Sequence, residues 1–241
     1  MTPTPSKKIV QVYRRFFDPY IVDLIENQRS LFYNKRSEVV SLQTKNLAIV
    51  FWDLTGFSEL FNLVKRQYEV TLFLEQYFGL ADQLIHQYNG ILNKFIGDGI
   101  LAIFGLGGNK SKSNISGPIE AVTCALEFRR AFEKVKATWV KLWHLHFGYR
   151  SIRINLKCGI DTGDVLFGRL GTDKRDEITV LGSVVNLASR LEYRAKSNQI
   201  LISEATYKKV KNTFKLEEIR AAGSNRLKGF PNVRVYYNVL N

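Results

Sequence analysis

Apolar and polar positions alternate between two periods along this chain, and the switches outline its elements. From Ile9 to Phe32 apolar residues recur at helical spacing, with Ile21, Leu24, Ile25, Leu31 and Phe32 on one face and Pro19 at a helix start. This predicts a helical lead-in. The continuous apolar run Leu47–Trp52 predicts a buried strand, followed from about Phe57 by a helix. A second amphipathic helix is expected over Glu69–Tyr88, ended by Asn89 and Gly90. Two apolar runs, Ile91–Ile96 and Ile100–Phe104, flank Gly97-Asp98-Gly99 and predict a hairpin. A polar loop (105–117) leads to a helix from Pro118 to about Lys136. Strands are then expected at Ile152–Asp161 and Val165–Leu170, with a turn at Thr162-Gly163. A short strand, a turn at Gly182 and a helix follow. The expected sequence continues with a strand at Gln199–Ser203, a helix at Glu204–Val210 and a final hairpin within Asn225–Leu240. Strands and helices alternate with hairpins mixed in, which indicates α/β or α+β architecture around a mixed sheet.

Composition narrows the class. A chain of 241 residues, 45% hydrophobic and 24% charged, can bury a full core without staples. It contains no apolar run long enough to span a bilayer, and the residues Met1–Lys8 are polar, so a cytoplasmic protein is expected. The only two cysteines, Cys124 and Cys158, read as buried thiols rather than as a disulfide framework. The net charge of +13 suits a polyanionic partner: nucleic acid, a lipid surface or a phosphorylated small molecule. The most basic stretch, 129–153, interleaves its charges with Trp139, Trp143, His144 and His146. That reads as the solvated rim of a core helix, and no nucleic-acid partner is expected. His144 and His146 would share a face only if the stretch were extended. His86 is expected to pack on the second helix.

Asp53 and Asp98 carry the candidate chemistry. Each ends a strongly apolar strand, where an unpartnered carboxylate is costly. Two such groups beside glycines would suit a hard cation such as Mg²⁺, which takes one or two carboxylates and completes its shell with water and phosphates. Taken singly, each also fits a helix cap or a turn. The turn Thr55-Gly56-Phe57 opens a helix whose free N–H groups suit a polyphosphate. Asn186 and Arg190, four apart, share a helix face and could hold charge developing on a phosphoryl group. The common phosphate-loop, dinucleotide and zinc-protease motifs are absent from the sequence.

Four segments in order, IVFWDLTGFSEL, LNKFIGDGILAIFG, LKCGIDTGDVLFGRLG and ITVLGSVVNLASRLE, resemble the catalytic domain of the class III nucleotidyl cyclases, most like the bacterial-type adenylyl cyclases. The resemblance implies an α+β fold with a ferredoxin-like βαββαβ core, working as a head-to-tail homodimer with shared active sites. Residues 1–44 would form an N-terminal arm and helical lead-in, and residues 45–241 the catalytic domain. It further implies that a nucleoside triphosphate is converted to a 3′,5′-cyclic monophosphate and pyrophosphate. Asp53 and Asp98 would hold two Mg²⁺ or Mn²⁺ ions per site, and Asn186 and Arg190 of the other chain would face the transition state. Lys94 and Thr179 would read the base, while Lys228, with Thr55, Gly56 and Phe57, would reach the phosphates. Lys94 as a donor suits the ring acceptor of adenine, and Thr179 can accept from the amino group, so ATP is favoured over GTP. Cytosine offers the same order on a smaller ring, so pyrimidine and guanylyl cyclisation stay open as alternatives, as does a non-catalytic nucleotide-binding module. Trp52, where many relatives have a small residue, is expected on the face opposite Asp53, packed under a helix.

Overall fold

The computed structural model describes residues 18, 19, 21, 22, 42–106, 116–148, 152–172 and 175–240. The elements run β1 (Leu42–Thr55), α1 (Phe57–Leu63), α2 (Gln67–Gln87), β2 (Gly90–Ile96), β3 (Gly99–Phe104) and α3 (Gly117–Phe147). They continue with β4 (Asn155–Thr172), β5 (Arg175–Leu181), α4 (Ser183–Arg194), β6 (Ile200–Ser203), α5 (Glu204–Val210), β7 (Leu216–Arg220) and β8 (Val235–Val239). The sheet order is β2-β3-β1-β4-β6-β8-β7, with β5 paired to the far half of β4. Neighbours are antiparallel except β4 and β6. The first four strands, with α2 and α3 in the crossovers, form the expected ferredoxin-like βαββαβ core. Of the lead-in helix, only residues 18, 19, 21 and 22 fall among the described residues, and most of the 105–117 loop lies outside them.

β1 divides the core by alternation. Ala48, Val50, Trp52 and Leu54 face a cluster built with α2 and α3, while Leu47, Ile49 and Phe51 face a second cluster that includes Val184 and Ala188 of α4. Trp52 is fully buried and meets Phe128 of α3 edge-on, ring centroids 5.6 Å apart at 81°. It therefore lies opposite Asp53, as the alternation requires.

Three expectations change. Thr162 and Gly163 form no turn: β4 is one strand of 18 residues, and Gly163 pairs with Leu47 of β1. The glycines there serve helix approach. A Cβ on Gly159 would lie 2.1 Å from Glu192 N and 2.2 Å from Ala188 O, and one on Gly163 would lie 2.8 Å from Val184 Cγ2. Only their bareness lets α4 lie directly on the sheet. α3 runs eleven residues past Lys136, because Trp139 and Trp143 continue its apolar face onto Phe73 of α2. His144 and His146, two apart on a helix, therefore point in different directions, and His146 Nδ1 bonds Glu69 Oε1 at 3.1 Å. The final hairpin pairs β7 with β8, so its first strand precedes the expected stretch and residues 221–234 connect the two.

Asp18 anchors the lead-in. Its carboxylate accepts from Leu92 N at 3.0 Å and lies 2.9 Å from His86 Nε2, while Ile21 is buried with the second cluster. The hydrogen bond to Asp18 holds the His86 imidazolium up to about 9, against the opposing pull of burial. A raised imidazole stabilises the fold fully below its unfolded value near 6.5, and that contribution fades as pH climbs through about 9. Urea titrations should show the wild-type advantage over His86→Gln shrinking between pH 6.5 and 9. In the same assay Gly159→Ala should cost on the order of 3 kcal/mol, because two backbone groups of α4 must move.

Candidate active site

The site begins where β1 ends. Asp53 follows the parity of Ile49 and Phe51 and so lies on the α4 side of the sheet, level with the β2–β3 turn. A Cβ on Gly99 would come within 3.6 Å of its Oδ1 and 3.3 Å of the Trp52 carbonyl oxygen. Asp98 occupies that turn beside Gly99, close enough for the Asp53 charge to act on its carboxyl. Burial first, and the Asp53 charge second, push Asp98 up to about 6, while main-chain N–H donors from Asp98 itself and Leu54 oppose the shift. Two neighbouring carboxyls whose charges oppose each other fit a divalent cation that would relieve the repulsion. Their hard oxygen donors suit Mg²⁺ or Mn²⁺. Among the described residues no cluster of three or more metal-ligating side chains exists, so phosphates and water must complete any such shell.

Two residues here escaped sequence reading. Lys157 pairs with Asp53 across the β1–β4 ladder, and its Nζ lies 2.8 Å from Asp53 and 2.6 Å from Glu192 of α4. Burial would pull the ammonium down, but hydrogen bonds to Asp53 and Glu192 outweigh it and leave Lys157 above the usual lysine value. Burial raises Glu192, and Lys157 counters that. Only the β1–β4 register places Lys157 opposite Asp53; LKCGID gives its identity but not its partner. Tyr193, the next residue on α4, is exposed, with its ring centred 6.0 Å from Lys157 Nζ.

Gly56 sits at φ +79°, and a Cβ there would strike Arg153 O at 2.0 Å, so the turn into α1 requires glycine. Thr55 is tied sideways by its hydroxyl to Asn155 O and Ser197 Oγ, both at 3.2 Å. Phe57 is half-buried as the first residue of α1. α4 buries Val184, Ala188 and Leu191 and presents Asn186 and Arg190 together on its exposed side. Lys94 and Thr179 also meet, Nζ donating to Oγ1 at 3.3 Å, and Lys94 touches the carboxylate of Glu177 as well. Lys228 stands exposed in the β7–β8 connection, and no contact joins it to the carboxylate pair among the described residues. The cysteines are both buried. Asp161 and Asp164, which flank no turn, are engaged by Ser203 Oγ at 2.5 Å and Asn46 Nδ2 at 2.7 Å.

A carboxylate pair at a strand end beside a bare turn into a helix has the donor chemistry to take a metal-bound polyphosphate, and comparison with known proteins gives the family. Residues 39–239 match the adenylate and guanylate cyclase catalytic domain, and the chain belongs to that family. It is 31% identical over 199 residues to the terminal-differentiation specific adenylate cyclase of Dictyostelium discoideum, covering 82% of this chain and 9% of that protein. It is 27% identical over 202 residues to an adenylate cyclase of Anabaena cylindrica, covering 83% of this chain and 37% of that one. The chain thus spans well under half the length of these relatives. The adenylyl cyclase CyaB from P. aeruginosa superposes with a TM-score of 0.73 at 27% identity, covering 83% of this chain and 96% of that one. The guanylyl cyclase Cya2 does so with 0.69 at 28%, covering 82% and 93%. Among the described residues no helix is long and apolar enough to cross a membrane.

Proposed function

We propose that this chain is an adenylyl cyclase, converting ATP to 3′,5′-cyclic AMP and pyrophosphate in a head-to-tail homodimer whose two sites are shared. The observation that carries the reading is the placing of Asp53 at the end of β1 beside the β2–β3 turn that holds Asp98, set against an outward-facing Asn186–Arg190 pair on α4. Exposed apolar side chains on the hairpin and the β4–β5 arm, Phe95, Ile96, Leu166, Leu170 and Leu181, support a face for the second copy. The N-terminal lead-in, 1–44, would precede a catalytic domain over 45–241.

In this reading Asp53 and Asp98 hold two divalent ions, Mg²⁺ or Mn²⁺. When bound, these supply Lewis acidity that makes the ribose 3′-hydroxyl easier to deprotonate and offsets triphosphate charge. The chain's own groups do the rest. Gly56 lets the backbone at Thr55 and Phe57 approach the phosphates, and Lys228 reaches them from the β7–β8 connection. Arg190 of the partner copy offsets charge on the α-phosphate oxygens as the hydroxyl oxygen bonds to phosphorus and pyrophosphate leaves. Asn186 of that copy adds a neutral donor that fixes the ribose. Positioning is most of the work, since nucleophile and target belong to one molecule.

Base choice rests on Lys94 and Thr179, which favour ATP. The likeness to Cya2 keeps a guanylyl cyclase as the second reading, and product analysis with each of the four triphosphates separates the two.

Asp53→Ala or Asp98→Ala should lower cyclisation at least a thousandfold with Mg²⁺ or Mn²⁺; retained activity would remove the metal assignment. Mixing Asp53→Ala chains with Arg190→Ala chains should restore activity, because one site of each mixed dimer draws an intact half from each copy. An inactive mixture would mean that each site is built within one chain.

A further inference from the structure

The β2 strand does not pair evenly with β3. Its register shifts between Leu92 and Lys94, which leaves Asn93 as an extra residue in the ladder. The bulge re-aims this part of β2 toward β5. Asn93 Nδ2 donates to Ile178 O at 3.0 Å, and Lys94 Nζ donates to Thr179 Oγ1 at 3.3 Å. The Lys94 ammonium also contacts Glu177 Oε1. Glu177 and Thr179 are two apart on a strand and so share its face, while Ile178 turns into the core. An ammonium has three N–H donors, and two acceptors are accounted for, which leaves one donor for a ligand. Glu177 is 49% exposed, so the acceptor capacity not used by Lys94 is open to solvent.

We propose that Glu177 is a base-specificity residue, accepting a hydrogen bond from the exocyclic amino group beside the ring nitrogen that Lys94 serves. This rests on the reading of Lys94 and Thr179 as the base subsite and extends it to a group outside that pair. A hydroxyl such as Thr179 can donate as well as accept, so alone it discriminates poorly between an amino and an oxo group. An ionised carboxylate only accepts. Beside the Lys94 donor it makes a donor–acceptor pair that matches adenine, ring nitrogen next to amino group. Hypoxanthine reverses both positions: its N1–H would face the ammonium, and its O6 would face the carboxylate. Sites that hydrogen-bond a substrate group reject analogues that leave the site's own groups unpaired.

ATP and ITP differ only at this edge, and their 3′-deoxy forms lack the hydroxyl that would attack, so they bind without turnover. Calorimetric affinities of the full chain for 3′-deoxy-ATP and 3′-deoxy-ITP should favour the adenine form by about a hundredfold in the wild type. Glu177→Ala and Glu177→Gln should each cut that preference at least tenfold, through weaker 3′-deoxy-ATP binding and equal or tighter 3′-deoxy-ITP binding. An unchanged ratio, or equal weakening of both nucleotides as for a mere anchor of Lys94, would overturn the proposal. So would a wild type that prefers the hypoxanthine form or binds neither. Cyclisation is scored separately with ATP. A chain that discriminates through Glu177 but forms no cyclic product would sink the cyclase reading alone. One that cyclises ATP with a ratio indifferent to Glu177 would sink this inference alone.

Discussion

Two neighbouring half-buried carboxyls are an unstable arrangement unless something answers their charge, and the architecture around Asp53 and Asp98 is organised by that need. Asp53 is clamped in a strand paired on both sides, and Asp98 sits in a hairpin turn whose flanking glycines leave no bulk between them. The response from the chain itself is partial. Lys157 neutralises Asp53 but shares its charge with Glu192, and Asp98 is left pushed up to about 6 by burial and by Asp53. A fold selected for stability alone would place an apolar pair at these strand ends. In the proposed reading the unbalanced acidic pair is the seat for cations that arrive with a polyphosphate.

The same need ties α4 to the sheet. Glu192 reaches Lys157 only because the helix backbone rests on Gly159, and Val184 comes down over Gly163 about two turns earlier. The two glycines four residues apart on one face of β4 thus do two things. They create the close approach, and they leave the outer side of the helix, with Asn186, Arg190 and Tyr193, free of any packing duty. A residue larger than glycine at 159 would displace electrostatics and packing together, since both pass through the same few atoms.

Most of this was legible in the sequence where a signal is local. Apolar runs gave β1, β2 and β3, the Asp-Gly turn gave the hairpin, and the four ordered segments marked Asp53, Asp98, Asn186 and Arg190 as the candidates. Trp52 followed from alternation alone. The misreadings share one cause. Gly163 read as a turn residue because a glycine between two polar residues usually is one; its actual reason, a helix 21 residues later pressing on the strand, is a tertiary fact. α3 read as ending near Lys136 because the basic residues that follow read as a solvated rim, and only the aromatic cluster of Trp139 and Trp143 with Phe73 shows that the helix goes on. Lys157, Glu192 and Glu177 stayed invisible because charged residues in strands and helices are common, and only cross-strand register or a bulge in β2 gives these three their partners.

Register also bears on whether one chain could complete the site. Successive residues of an α-helix are turned by about 100°. Glu192 is the α4 side chain that points to the Lys157–Asp53 cluster. Arg190 is therefore turned about 160° from that direction and Asn186 about 120°, both on the same side. A helix that delivers Glu192 to its own carboxylate pair cannot also deliver the guanidinium two residues earlier, and rotating it would break the Lys157 link and lift the backbone from Gly159. The arginine side of α4 is thus available to a different carboxylate pair than its own. In the proposed homodimer a second copy related by two-fold symmetry would supply one, since the operation that brings Arg190 to a foreign Asp53 would do the same for the first chain.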